Sequence, residues 1–323
     1  MNKSVVKATI LLIILTGISL LNACATQPVA APDQSTVAHT VIAIETTTGR
    51  AVPVRAMYPT NAEPDPLGVI VFSHGAFSDY DLYDRVTDAW AESGFLLLAI
   101  RHVDSPQHPL NKSYTQELHW KLRLEDTRTI TNELESILAQ LPDLTREVET
   151  ERLIMAGHSF GAITAMAMAG AVTTDLSTAA KIRVVNPGVK AVIAMSPPGL
   201  IPGYIEQDTF NQMTTPLLLQ TGTTDVLENF MPEWQLRKAA YELSPAGHKW
   251  LAVGTDVDHY FGGLTGRFNL ENATPTPEAL DSFISLSKLF LSAYANDDNK
   301  SAFLLQRKAS SGSWSDTMTL ETR

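Results

Sequence analysis

The chain has 323 residues, 24 Lys and Arg against 35 Asp and Glu, a net charge of −11, 44% hydrophobic and 18% charged residues, and one cysteine. That balance excludes a disordered, collagen-like or coiled-coil chain, and the length allows a substantial hydrophobic core. The acidic charge argues against a nucleic-acid partner, and a lone cysteine permits neither an internal disulfide framework nor a multi-cysteine metal site.

The amino terminus predicts an export signal. Lys3 and Lys7 precede an apolar run, Ala8 to Leu21, too short to span a membrane comfortably but the right size for a signal-peptide core. The sole cysteine, Cys24, follows Leu21-Asn22-Ala23. This resembles the lipobox of bacterial lipoproteins, which implies cleavage after residue 23 and acylation of Cys24. Ala25 after the cysteine, by analogy with other lipoproteins, places the anchor in the outer membrane facing the periplasm. Ordinary cleavage after Ala25 would instead give a soluble periplasmic protein. Residues 24–40, small and polar with Pro28 and Pro32, are expected to be a tether.

Strand and helix patterns alternate from residue 41. Strands are predicted at Val41–Glu45, Val52–Tyr58, Gly68–Ser73, Phe95–Arg101, Leu153–Gly157, Val189–Met195, Pro216–Thr221 and Lys249–Val253. The later ones are almost continuously apolar, as strands covered on both faces must be. Helices are predicted at Leu82–Glu92, Gln116–Leu141, Phe160–Ala171, Pro232–Leu243 and Pro277–Ala295, the last opened by Thr276 and Pro277. The alternation predicts an α/β domain over residues 41–297 with a mostly parallel central sheet, helices on both faces and a leading antiparallel hairpin at one edge. The intervals 171–189 and 195–216 are too short for a large cap. Residues 298–323 show no clear periodicity and are read as a tail, although Trp314 suggests a packing contact.

The strand at Leu153–Gly157 runs into Gly157-His158-Ser159-Phe160-Gly161 and then a helix of small residues. A serine in a sharp strand-to-helix turn is held exposed, and side chains two positions away would collide, so glycines stand there. Ser159 is therefore the expected nucleophile. Such a serine needs a base and an acid, in the chain order Ser, acid, His. His259 follows a strand in a glycine-containing loop, whereas His248 opens a strand and reads as structural. Asp225 lies just past the carboxyl end of a strand, with Glu228, Asp256 and Asp258 as rivals. The backbone N–H groups of Ala76 and Phe160 are the expected oxyanion donors. Phe77, Tyr80, Tyr260 and Phe261 are equally candidates for an acyl pocket and for core. His74 reads as a structural hydrogen bonder. His102, Asp104 and His108 lack a paired metal motif and read as a structural or substrate-rim loop.

Over roughly residues 41–297 the chain resembles an α/β-hydrolase. Within that fold it resembles the platelet-activating-factor acetylhydrolases and dienelactone-hydrolase-like proteins. The likeness rests on Ser-His-Gly-Ala at 73–76, Gly-Phe-Leu-Leu-Leu-Ala-Ile-Arg-His at 94–102, Gly-His-Ser-Phe-Gly at 157–161 and Thr-Gly-Thr-Thr-Asp at 221–225. It implies a Ser159–Asp225–His259 triad, Ala76 and Phe160 as oxyanion donors, and no cofactor or metal. True dienelactone hydrolases carry a cysteine nucleophile, so Ser159 favours esters over enol-lactones. The expectation is a lipid-anchored serine hydrolase of small-molecule or lipid esters with short acyl chains. A peptidase or amidase on the same triad, or a silent envelope binding protein, are the alternatives.

Overall fold

The computed structural model describes residues 36–61, 63–268, 270–271 and 273–323. The leader, Cys24 and most of the expected tether lie outside the described residues.

The main strands are β1 (Val37–Glu45), β2 (Ala51–Pro59), β3 (Leu67–Ser73), β4 (Phe95–Ile100), β5 (Val148–His158), β6 (Val189–Met195), β7 (Leu217–Gly222), β8 (Lys249–Gly254), β9 (Ser313–Ser315) and β10 (Met318–Thr322). They form one ten-stranded sheet in the order β1-β2-β4-β3-β5-β6-β7-β8-β10-β9. From β4 to β8 all neighbours are parallel. The β1–β2 hairpin closes one edge antiparallel, as expected. Alternate residues of a strand face opposite sides, so an apolar run feeds two cores. Leu67, Val69 and Val71 of β3 enter one core, and Ile70 and Phe72 enter the other.

The helices divide accordingly. Helices α2 (Gln116–Asn132), α3 (Leu134–Ala139), α4 (Phe160–Met168) and α5 (Ala239–Leu243) cover the first face, contributing Leu124, Ile137, Ile163 and Ala240. Helices α1 (Asp84–Glu92), α6 (Pro277–Ala295) and α7 (Asn299–Ser310) cover the second, with Trp90, Phe283, Phe290 and Leu305. Each large apolar side chain so buried stabilises the fold by roughly 1.5–3 kcal/mol relative to exposure. The interval after α4 holds only a small ribbon, Thr173–Thr174 against Lys181–Ile182. No cap domain is inserted among the described residues.

Several expected boundaries move. β1 starts at Val37, which pairs with Pro59, so residues 37–40 belong to the sheet and not to the tether. The expected helix at 116–141 divides at Glu133, and the one at 232–243 begins as a 3-10 turn, Trp234–Lys238. The 298–323 tail is the largest correction. Asp298 accepts from the N–H groups of Lys300 and Ser301 and caps α7. β10 then pairs antiparallel with β8 from Gly254↔Met318 to Trp250↔Thr322. Trp314 donates its indole N–H to the Ser282 carbonyl of α6 at 2.9 Å. The strand leaves little trace in the sequence because β10 has only two inward side chains, Met318 and Leu320, too few for a clear alternation.

Candidate active site

Ser159 occupies the turn between β5 and α4 with φ 52° and ψ −121°, a conformation costing an L-residue about 1–3 kcal/mol. Its N–H donates to the Met195 carbonyl at 2.8 Å, which helps hold the turn. The flanking glycines are sterically required. A Cβ at Gly157 would stand 2.3 Å from the Gly161 carbonyl oxygen, and one at Gly161 would stand 2.0 Å from that of Ser73.

Asp225, just beyond β7, and His259, beyond β8, meet Ser159 from two other loops. The His259 Nδ1–H donates to Asp225 Oδ1 at 2.7 Å, and Ser159 Oγ–H donates to His259 Nε2 at 2.9 Å. The carboxylate fixes the tautomer: with its proton on Nδ1, the ring presents Nε2 as an acceptor to the serine. Thr221 Oγ donates to Asp225 Oδ2 at 2.8 Å. The rivals are placed elsewhere. Glu228 and Asp256 are exposed, and Asp258 Oδ1 accepts the N–H groups of Tyr260 and Gly262 at 2.8 Å each, shaping its own loop. His248 is hydrogen-bonded to Tyr294 Oη at 3.0 Å, remote from the triad in the fold at the start of β8.

Asp225 is fully buried, and sequence reasoning missed the group that shares it. The Arg237 Nε lies 2.6 Å from Asp225 Oδ1 and donates to the Asp225 carbonyl at 2.8 Å, while Nη1 donates to the carbonyls of Ser196 and Pro197 at 3.1 Å each. Burial pushes the Asp225 carboxyl up, but the His259 hydrogen bond and the charge of the Arg237 guanidinium outweigh it and hold the group below its ordinary value. Burial lowers the His259 pKa, with Asp225 opposing and Arg237 reinforcing the shift.

His158, the variable residue of the pentapeptide, also has a defined part. Its Nε2–H donates to the His259 carbonyl at 2.8 Å, and its Nδ1 accepts from Tyr83 Oη at 2.9 Å. Tyr83 Oη in turn accepts the Gly75 N–H at 3.1 Å. Burial drives the His158 pKa down to about 3, so the ring is neutral and can both donate and accept.

The loop after β3 brings Gly75 against Ser159: a Cβ at Gly75 would lie 3.4 Å from Ser159 Cβ. Among the described residues, the N–H groups of Ala76 and Phe160 have no hydrogen-bond acceptor. The four aromatic candidates separate. Phe77 is exposed at the rim and meets His119 edge-on at 6.1 Å, and Tyr260 packs edge-on against the His259 ring at 4.8 Å. Tyr80 and Phe261 are core residues instead. The guanidinium groups of Arg55 and Arg101 stand 4.9 and 4.2 Å from the Tyr80 ring centroid, and Phe261 packs on Phe283.

The His102 segment is taken up by protein partners. His102 Nδ1 bonds Asp126 at 2.7 Å and its Nε2 bonds Ser73 Oγ at 3.0 Å. Asp104 is paired with Arg123, which donates from Nε at 3.0 Å and from Nη2 at 2.8 Å. His74 accepts the His102 N–H at 3.1 Å and is kept neutral by burial, its pKa lowered to about 4.

No curated protein matches this chain in sequence. A family model does match, from residue 70 in β3 to residue 318 in β10. That span covers most of the chain and every element that carries the site, so the chain belongs to the alpha/beta hydrolase family.

Proposed function

We propose that this hydrolase cleaves carboxylic esters through a covalent acyl-serine intermediate. The observation that carries the reading is the continuous hydrogen-bonded line Asp225–His259–Ser159, with bonds of 2.7 and 2.9 Å, beside a strained serine turn. Ser159 Oγ attacks the ester carbonyl carbon and gives its proton to His259 Nε2. Asp225 stabilises the imidazolium that results. The Ala76 and Phe160 N–H groups receive the developing oxyanion. Collapse breaks the C–O bond, and His259 protonates the departing alkoxide. Water, deprotonated by the same ring, then releases the acid and restores Ser159.

The resemblance to acetylhydrolases and the absence of a cap among the described residues favour short acyl chains. We place the anchor at Cys24, on the lipobox-like Leu21-Asn22-Ala23-Cys24. No helix of the described residues is long and apolar enough to cross a membrane.

The test is fluorophosphonate labelling alongside turnover of soluble esters of graded acyl length. The wild type takes one label on the peptide containing Ser159 and prefers short esters, whereas Ser159→Ala takes none and loses about 10⁴-fold or more in kcat. A folded wild type that neither labels nor turns over any ester overturns the reading.

A further inference from the structure

The mechanism above uses two backbone donors, yet a backbone N–H in a loop points wherever its peptide plane is held. The plane that matters is that of Gly75–Ala76. Arg123, from the middle of α2, lies beneath it and is fully buried. Its guanidinium donates from Nη1 to the His74 carbonyl at 2.8 Å and from Nη2 to the Gly75 carbonyl at 3.0 Å.

In a trans peptide the C=O and N–H vectors point in opposite directions. The first gripped peptide bears this out, because the Gly75 N–H, opposite the His74 carbonyl, reaches Tyr83 Oη at 3.1 Å. In the second, the Ala76 N–H lies opposite the gripped Gly75 carbonyl and so projects away from the guanidinium. Asp104 fixes the next peptide: its Oδ2 accepts the Phe77 N–H at 3.1 Å while the same carboxylate is held by Arg123 on both oxygens. The Gly75 carbonyl also accepts the His74 Nδ1–H at 2.7 Å and the Ser78 N–H at 3.2 Å, but of its three donors only Arg123 also holds, through Asp104, the peptide that follows Ala76. Arg123 also reaches the other donor residue, with its Cζ 5.1 Å from the Phe160 ring centroid. Asp104 neutralises the cation, so the clamp acts through direction and not through net charge.

We propose that Arg123 is a positioning residue that sets the plane of the Gly75–Ala76 peptide and thereby aims the Ala76 N–H at the oxyanion formed on Ser159. The proposal rests on the serine-hydrolase reading. It distinguishes Arg123 from an arginine that merely folds a loop, because only an aiming role couples it to the substrate's carbonyl oxygen.

The test is Arg123→Lys in the full chain. Lysine can keep the ion pair with Asp104, but one ammonium cannot span two carbonyls and two carboxylate oxygens. The expected result is a loss of about 10²-fold in kcat with KM changed by less than about threefold, the size of losing one oxyanion donor. Each enzyme is also given the matching thionoester, whose sulfur is a poor hydrogen-bond acceptor. The wild type prefers the oxo-ester, and the variant loses about tenfold or more of that preference, on the same reasoning. Arg123→Ala with millimolar guanidinium provides a second route, with both rate and oxygen preference restored by the added cation.

A Lys variant within threefold of wild type overturns the proposal. So does a loss of rate with the oxygen preference intact, or failure of both variants to fold by circular dichroism, since each leaves only a structural role. A wild type inactive on every ester and unlabelled at Ser159 removes the serine-hydrolase reading itself, an outcome distinct from any behaviour of the variants.

Discussion

Asp225→Asn separates two consequences that share one oxygen atom. The first is chemical. Asp225 Oδ1 accepts the His259 Nδ1–H at 2.7 Å, and an amide of the same shape can turn its NH₂ toward the ring. The ring then carries its proton on Nε2 and cannot receive the one from Ser159. In a comparable triad the same change costs about 10⁴ in turnover. The second is energetic. Arg237 Nε lies 2.6 Å from the same oxygen, with the arginine side chain 1% exposed, so the substitution strands a buried cation. Breaking such a pair costs about 3–5 kcal/mol. At roughly 2–4 °C per kcal/mol for domains of this general size, Tm falls by about 6–20 °C. The value should sit toward the lower end, because Arg237 keeps three carbonyl acceptors, those of Asp225, Ser196 and Pro197. Adding Arg237→Gln to Asp225→Asn should therefore recover part of the lost Tm and none of the activity. Calorimetry and kcat/KM on a soluble ester read the two effects independently. Asp225→Asn within tenfold of wild type, or an active double variant, would refute the assignment, and a crippling Glu228→Gln beside a mild Asp225→Asn would move the acid three residues along the chain.

Two further outcomes follow from titration and one from the leader. Burial holds the His259 pKa below the ordinary 6.5, so the acid limb of kcat/KM should lie below that pH; a limb above it contradicts the geometry. The neutral, buried His74 and His158 titrate at about 4 and about 3 when folded, but near 6.5 when unfolded. The unfolded chain therefore binds protons first as pH falls, and stability present above 6.5 should decline steadily toward pH 3–4; a Tm constant over that window excludes it. Cys24→Ala should move the protein from the membrane to the soluble fraction with specific activity unchanged, and retention in the membrane removes the lipid-anchor proposal.

The central sheet was legible because parallel strands covered on both faces must be apolar throughout. β6 and α6 accordingly have the bounds that pattern and capping suggest. The meeting of Ser159, Asp225 and His259 was legible because each follows a strand at its carboxyl end, and the glycines at 157 and 161 are a steric necessity visible in the letters. The polar frame around them was not. Arg123 reads as one more charge on an amphipathic helix until the fold sets it against Asp104 and two carbonyls of a distant loop. Arg237 lies in the segment read as a helix at 232–243, where nothing distinguishes it from a solvent-facing charge. Tyr80 and Phe261 read equally as pocket or core because they are close to the site in sequence, and strand and helix packing turns both into the core. Buried charges find their partners across the fold, and a single sequence holds no local mark of that pairing.

The bonds of His158 have a consequence for motion. Gly75 N–H to Tyr83, Tyr83 to His158, and His158 to the His259 carbonyl join the loop after β3, the serine turn and the histidine loop in series. The histidine loop contains Gly262, Gly263 and Gly266, and its backbone would otherwise sample many shapes. Because the His259 carbonyl is bonded to the residue before Ser159, a displacement of His259 stretches a bond to the serine's own strand. On the proposed mechanism, the ordering of the three loops is then completed as the sheet assembles, so its entropy cost falls within folding instead of within the catalytic cycle.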